Sequence, residues 1–170
     1  LKNPFQIAID CLKNAENIFV RLETSDGLAG FGEGAPTNCV TGETIRTATA
    51  AACAMAPALL GQDPLNIGAC LESLRRIICG NPSVLCAYDM ALHDLCSRAA
   101  GLPLYALLGG GRRELHTDFT LGIRSPVEMA EEATAVLSRG FDKIKVKLGT
   151  TRSQDVERVR RIREAVGGSI

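Results

Sequence analysis

From His116 onward the chain alternates strand-like and helix-like patterns at intervals that leave room for little besides β/α units. His116 to Gly122 reads as a strand. Ser125-Pro126-Val127-Glu128 then combines an N-cap serine, a proline at the first helical position and a glutamate three residues on, which is a helix start with a mechanism behind it. Met129, Ala133, Val136 and Leu137 form the buried stripe of that helix, and Gly140 ends it. A second strand follows over Phe141–Gly149. A second helix runs over about 153–166, with Val156, Val159, Ile162 and Val166 expected inward and Gly167-Gly168 closing it. Ser169-Ile170 reads as a third strand beginning. Strand, helix, strand, helix is the grammar of a parallel α/β sheet or barrel. Two parallel strands with two helices cannot cover both faces of a sheet, so the expectation is the opening of something larger and a chain that is incomplete.

The second of these strands, Lys143-Ile144-Lys145-Val146-Lys147-Leu148-Gly149, sets the functional question. Alternation puts the three ammonium groups on one face and the apolar residues on the other. A buried charge must be compensated. Either the lysine face is wet, as on an exposed edge strand where lysines block aggregation, or the lysines do chemistry.

The preceding residues read differently. Phe5, Ile7, Ile9 and Cys11 alternate with polar or small residues, as do Ile18, Val20 and Leu22, and Ser25-Asp26-Gly27 supplies a turn before a returning strand over 28–33. A three-stranded antiparallel meander is expected. Gly30-Phe31-Gly32-Glu33-Gly34 lacks the spacing of a phosphate-binding loop and precedes Ala35-Pro36-Thr37 rather than a helix, so it reads as a glycine-rich strand end. Helices follow: one capped by Thr41, one over 65–79, and one capped by Ser83 with Val84, Ala87, Tyr88, Ala91, Leu92 and Leu95 on a single stripe and Gly101 at its stop. Asp89, His93 and Asp94 lie off that stripe and read as structural, and His93 has no nearby partner that would mark it as a ligand or base. Residues 1–108 thus form an α+β domain, and residues 112–170 the β/α part.

Composition excludes several functions. Nineteen basic and nineteen acidic residues balance, so no basic field draws nucleic acid or an anionic membrane, and the absence of Trp with only two Tyr leaves no aromatic stacking surface. No apolar run has membrane-spanning length, and Leu1-Lys2-Asn3-Pro4 lacks the pattern of a signal peptide. Seven cysteines, an odd number with no C-x-x-C pair, read as half-buried reduced thiols of a cytoplasmic protein.

Several stretches resemble the enolase superfamily, most closely its muconate-lactonizing subgroup. They are Ala87-Tyr88-Asp89-Met90-Ala91-Leu92-His93-Asp94, its continuation through Ala99-Ala100-Gly101-Leu102-Pro103-Leu104-Tyr105 to Leu107-Leu108-Gly109-Gly110, Gly32-Glu33-Gly34-Ala35-Pro36, Thr41-Gly42-Glu43-Thr44, and Lys145-Val146-Lys147-Leu148-Gly149. The resemblance implies an α+β capping domain over 1–108 and, over 112–170, the first two units of a (β/α)7β TIM-like barrel that stops before its third strand. Thr117-Asp118-Phe119-Thr120, leading to Ser125-Pro126 and Glu128-Met129, is similar to dipeptide epimerases of the L-Ala-D/L-Glu type. Muconate cycloisomerases, o-succinylbenzoate synthases and N-acylamino acid racemases share the framework and stand as alternatives. So does a non-catalytic half-protein that needs a partner.

The implied chemistry is proton abstraction α to a carboxylate, through an enediolate whose charge Mg2+ holds; a lysine or histidine base with magnesium is the general pattern of that superfamily. A lysine acts as base near neutral pH only when its ammonium is disfavoured, which a neighbouring cation and partial desolvation both favour. Gly149 anchors the register and selects Lys145 and Lys147 over Lys143. The resemblance makes Lys147 the general acid/base, Lys145 its positioning neighbour and a contact to the substrate carboxylate, and Thr120 a substrate contact, the last also readable as an ordinary β-branched strand residue. The magnesium ligands, the opposing lysine and the acids that recognise the substrate ammonium are expected beyond residue 170. So the chain alone is expected to be inactive, with a dipeptide as substrate and a homo-oligomer or a complementing C-terminal segment as partner.

Overall fold

The computed structural model describes residue 1 and residues 4–170; Lys2 and Asn3, part of the opening read for a signal peptide, lie outside the described residues. Contacts divide the chain into two compact units, Glu16–Arg112 and Leu1–Ala15 together with Arg113–Ile170. The first fifteen residues therefore group with the β/α segment.

In the unit Glu16–Arg112, strands β3 (Ile18–Glu23) and β4 (Ala29–Gly34) form an antiparallel hairpin in the register Ile18↔Gly34 to Glu23↔Ala29. The Thr24 amide donates to Leu28 and the Gly27 amide to Thr24, with Gly27 at φ +87°, the conformation for which the Asp-Gly turn was read. Helices α1 (Ile45–Met55), α2 (Ile67–Arg75), α3 (Pro82–Ala99) and the single turn α4 (Leu104–Leu107) follow. Ile18, Val20, Met55, Leu74, Val84, Ala87, Tyr88 and Ala91 make the core of this unit.

The glycines of β4 explain how closely the sheet and α3 approach. A Cβ added at Gly30, Gly32 or Gly34 would stand 2.3, 1.9 or 2.2 Å from the carbonyl oxygens of Ala91, Ala87 and Ser83 respectively. Two strand residues advance about 6.6 Å and four helix residues about 6 Å. The two periods match, so three glycines in a row face three successive turns of α3, backbone against backbone. This is a packing motif, not a ligand loop. Asp94 adds a crosslink by accepting from the Phe31 amide at 2.9 Å.

Two cap readings are corrected. Helix α1 is capped by Thr44, whose side chain accepts from the Thr47 amide, while the Thr41 hydroxyl donates back to the Thr37 carbonyl. Helix α3 starts at Asn81, in the left-handed conformation at φ 55°. Ser83, one residue inside the helix, donates its amide (3.0 Å) and its hydroxyl to the buried carboxylate of Glu43. A carboxylate at a helix N-terminus is favoured by the exposed amides and the helix dipole. Burial works against the charge of Glu43, but the Ser83 hydroxyl and amide outweigh it and hold the carboxyl below its ordinary value. A depressed pKa contributes stability that is present above the ordinary value of 4.5 and is lost as pH falls through the folded value. Glu43→Gln should therefore cost about 1–2 kcal/mol at neutral pH. In thermal melts the wild-type advantage should shrink steadily below pH 4.5; an advantage constant down to acid pH would contradict this.

The meander is also corrected. Residues 5–12 form a separate minimal hairpin, β1 (Phe5–Gln6) against β2 (Cys11–Leu12), in the register Phe5↔Leu12 and Gln6↔Cys11. The chain reverses at 7–10 because the Ile7 amide donates to the Asp10 carbonyl at 2.9 Å and the Gln6 side-chain amide donates to the carbonyls of Ile7 and Asp10. Ile9, in the turn, is 68% exposed.

In the other unit, β5 (Phe119–Leu121) and β6 (Ile144–Val146) pair in parallel, and α5 (Pro126–Ser138) and α6 (Arg152–Val166) follow them. The Ser125–Glu128 capping box is present in full, with Pro126 at the first helical position. Leu121, Met129, Ala133, Val136 and Ile162 are buried together, with Phe119, Ile144, Val146 and Val166 against them. The expected stripe of α6 is corrected: Val156 and Val159 are 62% and 46% exposed, while Arg158 and Ile162 are buried. The inward face runs Asp155, Arg158, Ile162, Val166. Ser169-Ile170 forms no strand. Five cysteines are exposed and only Cys70 and Cys96 are buried, rather than all being half-buried; all seven are free thiols. No helix is long and apolar enough to cross a membrane among the described residues.

Candidate active site

The parallel register aligns two of the residues singled out from sequence. Thr120 pairs with Lys145, flanked by Phe119↔Ile144 and Leu121↔Val146. The Lys147 amide donates to the Leu121 carbonyl at 3.1 Å, which carries the ladder one step past the end of β6. Phe119, Leu121, Ile144 and Val146 pack toward the helices. Alternation therefore places Thr120, Lys145 and Lys147 on the opposite face. Lys145 is exposed, while Thr120 and Lys147 are half-buried. Among the described residues neither lysine has an ion pair or a side-chain hydrogen bond, so both ammonium groups are uncommitted. Lys143, at the other end of the strand, is exposed.

Just beyond Lys147 the backbone turns sharply. Gly149 sits at φ +124°, a conformation that strains any residue with a side chain, and a Cβ there would lie 2.5 Å from that of Ala8 in the β1–β2 turn. The same hairpin reaches the exit of β5, where the Ile123 amide donates to the Gln6 carbonyl at 2.8 Å and Gly122 lies against the Phe5 ring. The hairpin thus borders the end of both strands.

A network that the sequence did not flag supports these exits from below. Arg158 is 5% exposed. Its Nε donates to the Arg124 carbonyl at 2.7 Å, and Nη1 donates to Asp155 Oδ1 at 2.7 Å and to the Thr150 hydroxyl. Asp155 Oδ2 accepts the amides of Gly149 (3.0 Å) and Thr150 (3.3 Å). Burial works against the charge of Asp155, yet the Gly149 amide and the Arg158 guanidinium hold its carboxyl below the ordinary carboxylate range. The available signal was the i, i+3 placement of Asp155 and Arg158 in line with Ile162 and Val166.

The remaining titratable groups do other work. His93 is held within its own helix: Nδ1 lies 3.0 Å from the Asp89 carboxylate and 3.0 Å from the Asp89 carbonyl, one turn back on α3. Asp94 is held between the Phe31 amide and Arg98. Among the described residues no group of three or more His, Cys, Asp or Glu could hold a metal ion. The donor set of a divalent-cation site is therefore not supplied by these residues, and the lysine face has no acidic side chain paired with it.

The arrangement can hold an anionic group against two ammonium groups and a hydroxyl, and it can move a proton at a lysine Nζ. Comparison with known proteins gives it a family. Residues 1–109 match the model of the mandelate racemase / muconate lactonizing enzyme N-terminal domain. Over the whole chain the sequence is 42% identical to a D-Ala-D/L-Ala epimerase from Cytophaga hutchinsonii, of which it covers 46%, and 37% identical to an L-Ala-D/L-Glu epimerase from Bacillus subtilis, of which it covers 47%. The crystal structure of a dipeptide epimerase from Cytophaga hutchinsonii, complexed with Mg and the dipeptide D-Ala-L-Val, superimposes with a TM-score of 0.96 at 42% identity, over 100% of this chain and 46% of that one. The chain spans about half the length of the curated relatives it matches. With the glycine-backed capping fold and the family model agreeing over residues 1–109, the chain belongs to the mandelate racemase / muconate lactonizing enzyme family of the enolase superfamily.

Proposed function

We propose that the complete gene product carrying these residues epimerises dipeptides, of the L-Ala-D/L-Glu type, by moving the proton on the carbon α to the substrate carboxylate. The observation that carries this reading is the alignment of Thr120 beside Lys145, with Lys147 one step on along the same face and both lysines without an ion pair among the described residues. Lys147 Nζ takes the α-proton of one epimer while an opposing acid protonates the other face, and in the reverse direction its ammonium gives a proton to the enediolate. Lys145 holds a positive charge next to it and meets the carboxylate, whose oxygens gain charge as the proton leaves, so its attraction grows toward the transition state. Thr120 Oγ1 orients the substrate from the neighbouring strand. In this reading the two β/α units open a barrel whose strand ends carry the site. Mg2+, as in the dipeptide-bound relative, would supply the charge that stabilises the enediolate. Its ligands and an opposing base are not among the residues described here.

Two assays test the proposal. Mass spectrometry in D2O across dipeptides, N-acylated amino acids and muconate should find a one-dalton gain in dipeptides; gain only in N-acylated amino acids, or cycloisomerisation without α-exchange, would refute it. The 170-residue chain by itself should give no turnover, and measurable turnover by it would refute the division of the site.

A further inference from the structure

We propose that Arg158 is a positioning residue that clamps the exits of both strands and so fixes where Lys147 Nζ stands; this rests on the epimerase reading above. Three observations carry it. First, the side chain is buried on a helix face that otherwise continues as Ile162 and Val166, where an apolar residue would fill the space without a desolvated charge. Second, its hydrogen bonds converge on the two exits and on the residues that brace them. Nε goes to the Arg124 carbonyl on the exit of β5, and Nη1 to the Thr150 hydroxyl on the exit of β6 and to Asp155; Nη2 reaches Gln154 Oε1 at 3.5 Å. Asp155 relays the clamp to the amides of Gly149 and Thr150. Third, the clamped atoms are adjacent to the chemistry. Gly149 lies two residues past Lys147, Arg124 lies four past Thr120, and the Lys147 amide makes the last ladder bond, at 3.1 Å to Leu121.

Besides the clamp, that ladder bond, the contact of Gly149 with Ala8 and the bond from the Thr150 hydroxyl to Gln154 Oε1 at 3.2 Å tie the β6 exit among the described residues. A shift of about 1 Å in a reacting group can cost a hundredfold in rate. A buried ion pair is weak evidence for stability in itself. Its value here lies in geometry, because one planar group with a fixed donor fork spans both loops.

The test separates positioning from folding. In a two-base epimerase each epimer gives up its α-proton to one base, so misplacing Lys147 Nζ slows one epimer selectively. In the complete gene product, Arg158→Gln should lower D2O exchange from the epimer that faces Lys147 by about a hundredfold and leave the other epimer and KM within a few-fold. Arg158→Lys should fall between. Equal loss from both epimers, or no loss, overturns the proposal. Amide hydrogen exchange on the complete gene product decides it without turnover. Arg158→Gln should speed exchange at Lys147, Gly149 and Thr150 by at least about tenfold while Ala133 and Val136 in α5 hold, and unchanged exchange at Gly149 and Thr150 overturns it. A wild-type gene product that exchanges neither epimer contradicts the epimerase reading and leaves this second measurement to decide the clamp.

Discussion

Lys147→Met in the complete gene product should lower α-proton exchange from one epimer of the substrate dipeptide by about three orders of magnitude, the scale on which a positioned general acid/base acts. The substitution keeps a flexible stem of similar reach and removes only the amine. Nothing else should change, because the side chain is half-buried without an ion pair or hydrogen bond of its own among the described residues, and the strand is held through the Lys147 amide. The melting temperature should stay within a few degrees of wild type. Exchange retained within tenfold by the folded variant would remove Lys147 from the chemistry. Lys143→Met, at the far end of the strand, is the matched control and should leave exchange unchanged.

The second large effect is structural. Gly32→Ala should destabilise the unit Glu16–Arg112 by about 3 kcal/mol or more, lowering its melting temperature by more than about 10 °C. The new Cβ would meet the Ala87 carbonyl oxygen at 1.9 Å, the Ala91 amide nitrogen at 2.7 Å and the Ala87 carbonyl carbon at 2.9 Å. These are backbone atoms in the middle of an eighteen-residue helix, so relief requires moving α3 as a whole. Gly68→Ala gives the contrast. Gly68 lies within α2 with nothing in reach of a Cβ, and alanine there should stabilise by about 0.5–1 kcal/mol. Calorimetry on both variants checks the pair; equal melting temperatures would mean that sheet and helix do not approach as described.

What the sequence made legible depended on how local the cause was. The Ser125–Glu128 box and the Asp-Gly turn are set within a few residues, and each stands as read, whereas the strand read over Phe141–Gly149 is only Ile144–Val146, with Lys145 inside it and Lys143 and Lys147 at its ends. The alignment of the lysine face with Thr120 comes from pairing with β5, a register that no single-strand pattern contains. Misreadings came where a polar side chain did the work of an apolar one. Gln6 closes the turn at 7–10 with its amide, so an apparently continuous alternation over 5–11 is two short strands. In α6 the valines outrank arginine on any hydrophobic scale, yet Arg158 is buried because carbonyl, hydroxyl and carboxylate oxygens satisfy its donors. The Gly30-Gly32-Gly34 series read as a strand end because its partners, Ser83, Ala87 and Ala91, lie some fifty residues away.

The most direct measurement follows the α-protons of L-Ala-L-Glu by proton NMR in D2O, with the complete gene product and added Mg2+. Only the carbon next to the free carboxylate can form an enediolate. The account therefore predicts that the α-proton signal of the C-terminal residue disappears, that its D-epimer forms with deuterium at that carbon, and that the N-terminal α-proton persists. Loss of the N-terminal α-proton instead, or a folded protein that leaves both signals intact, would contradict it.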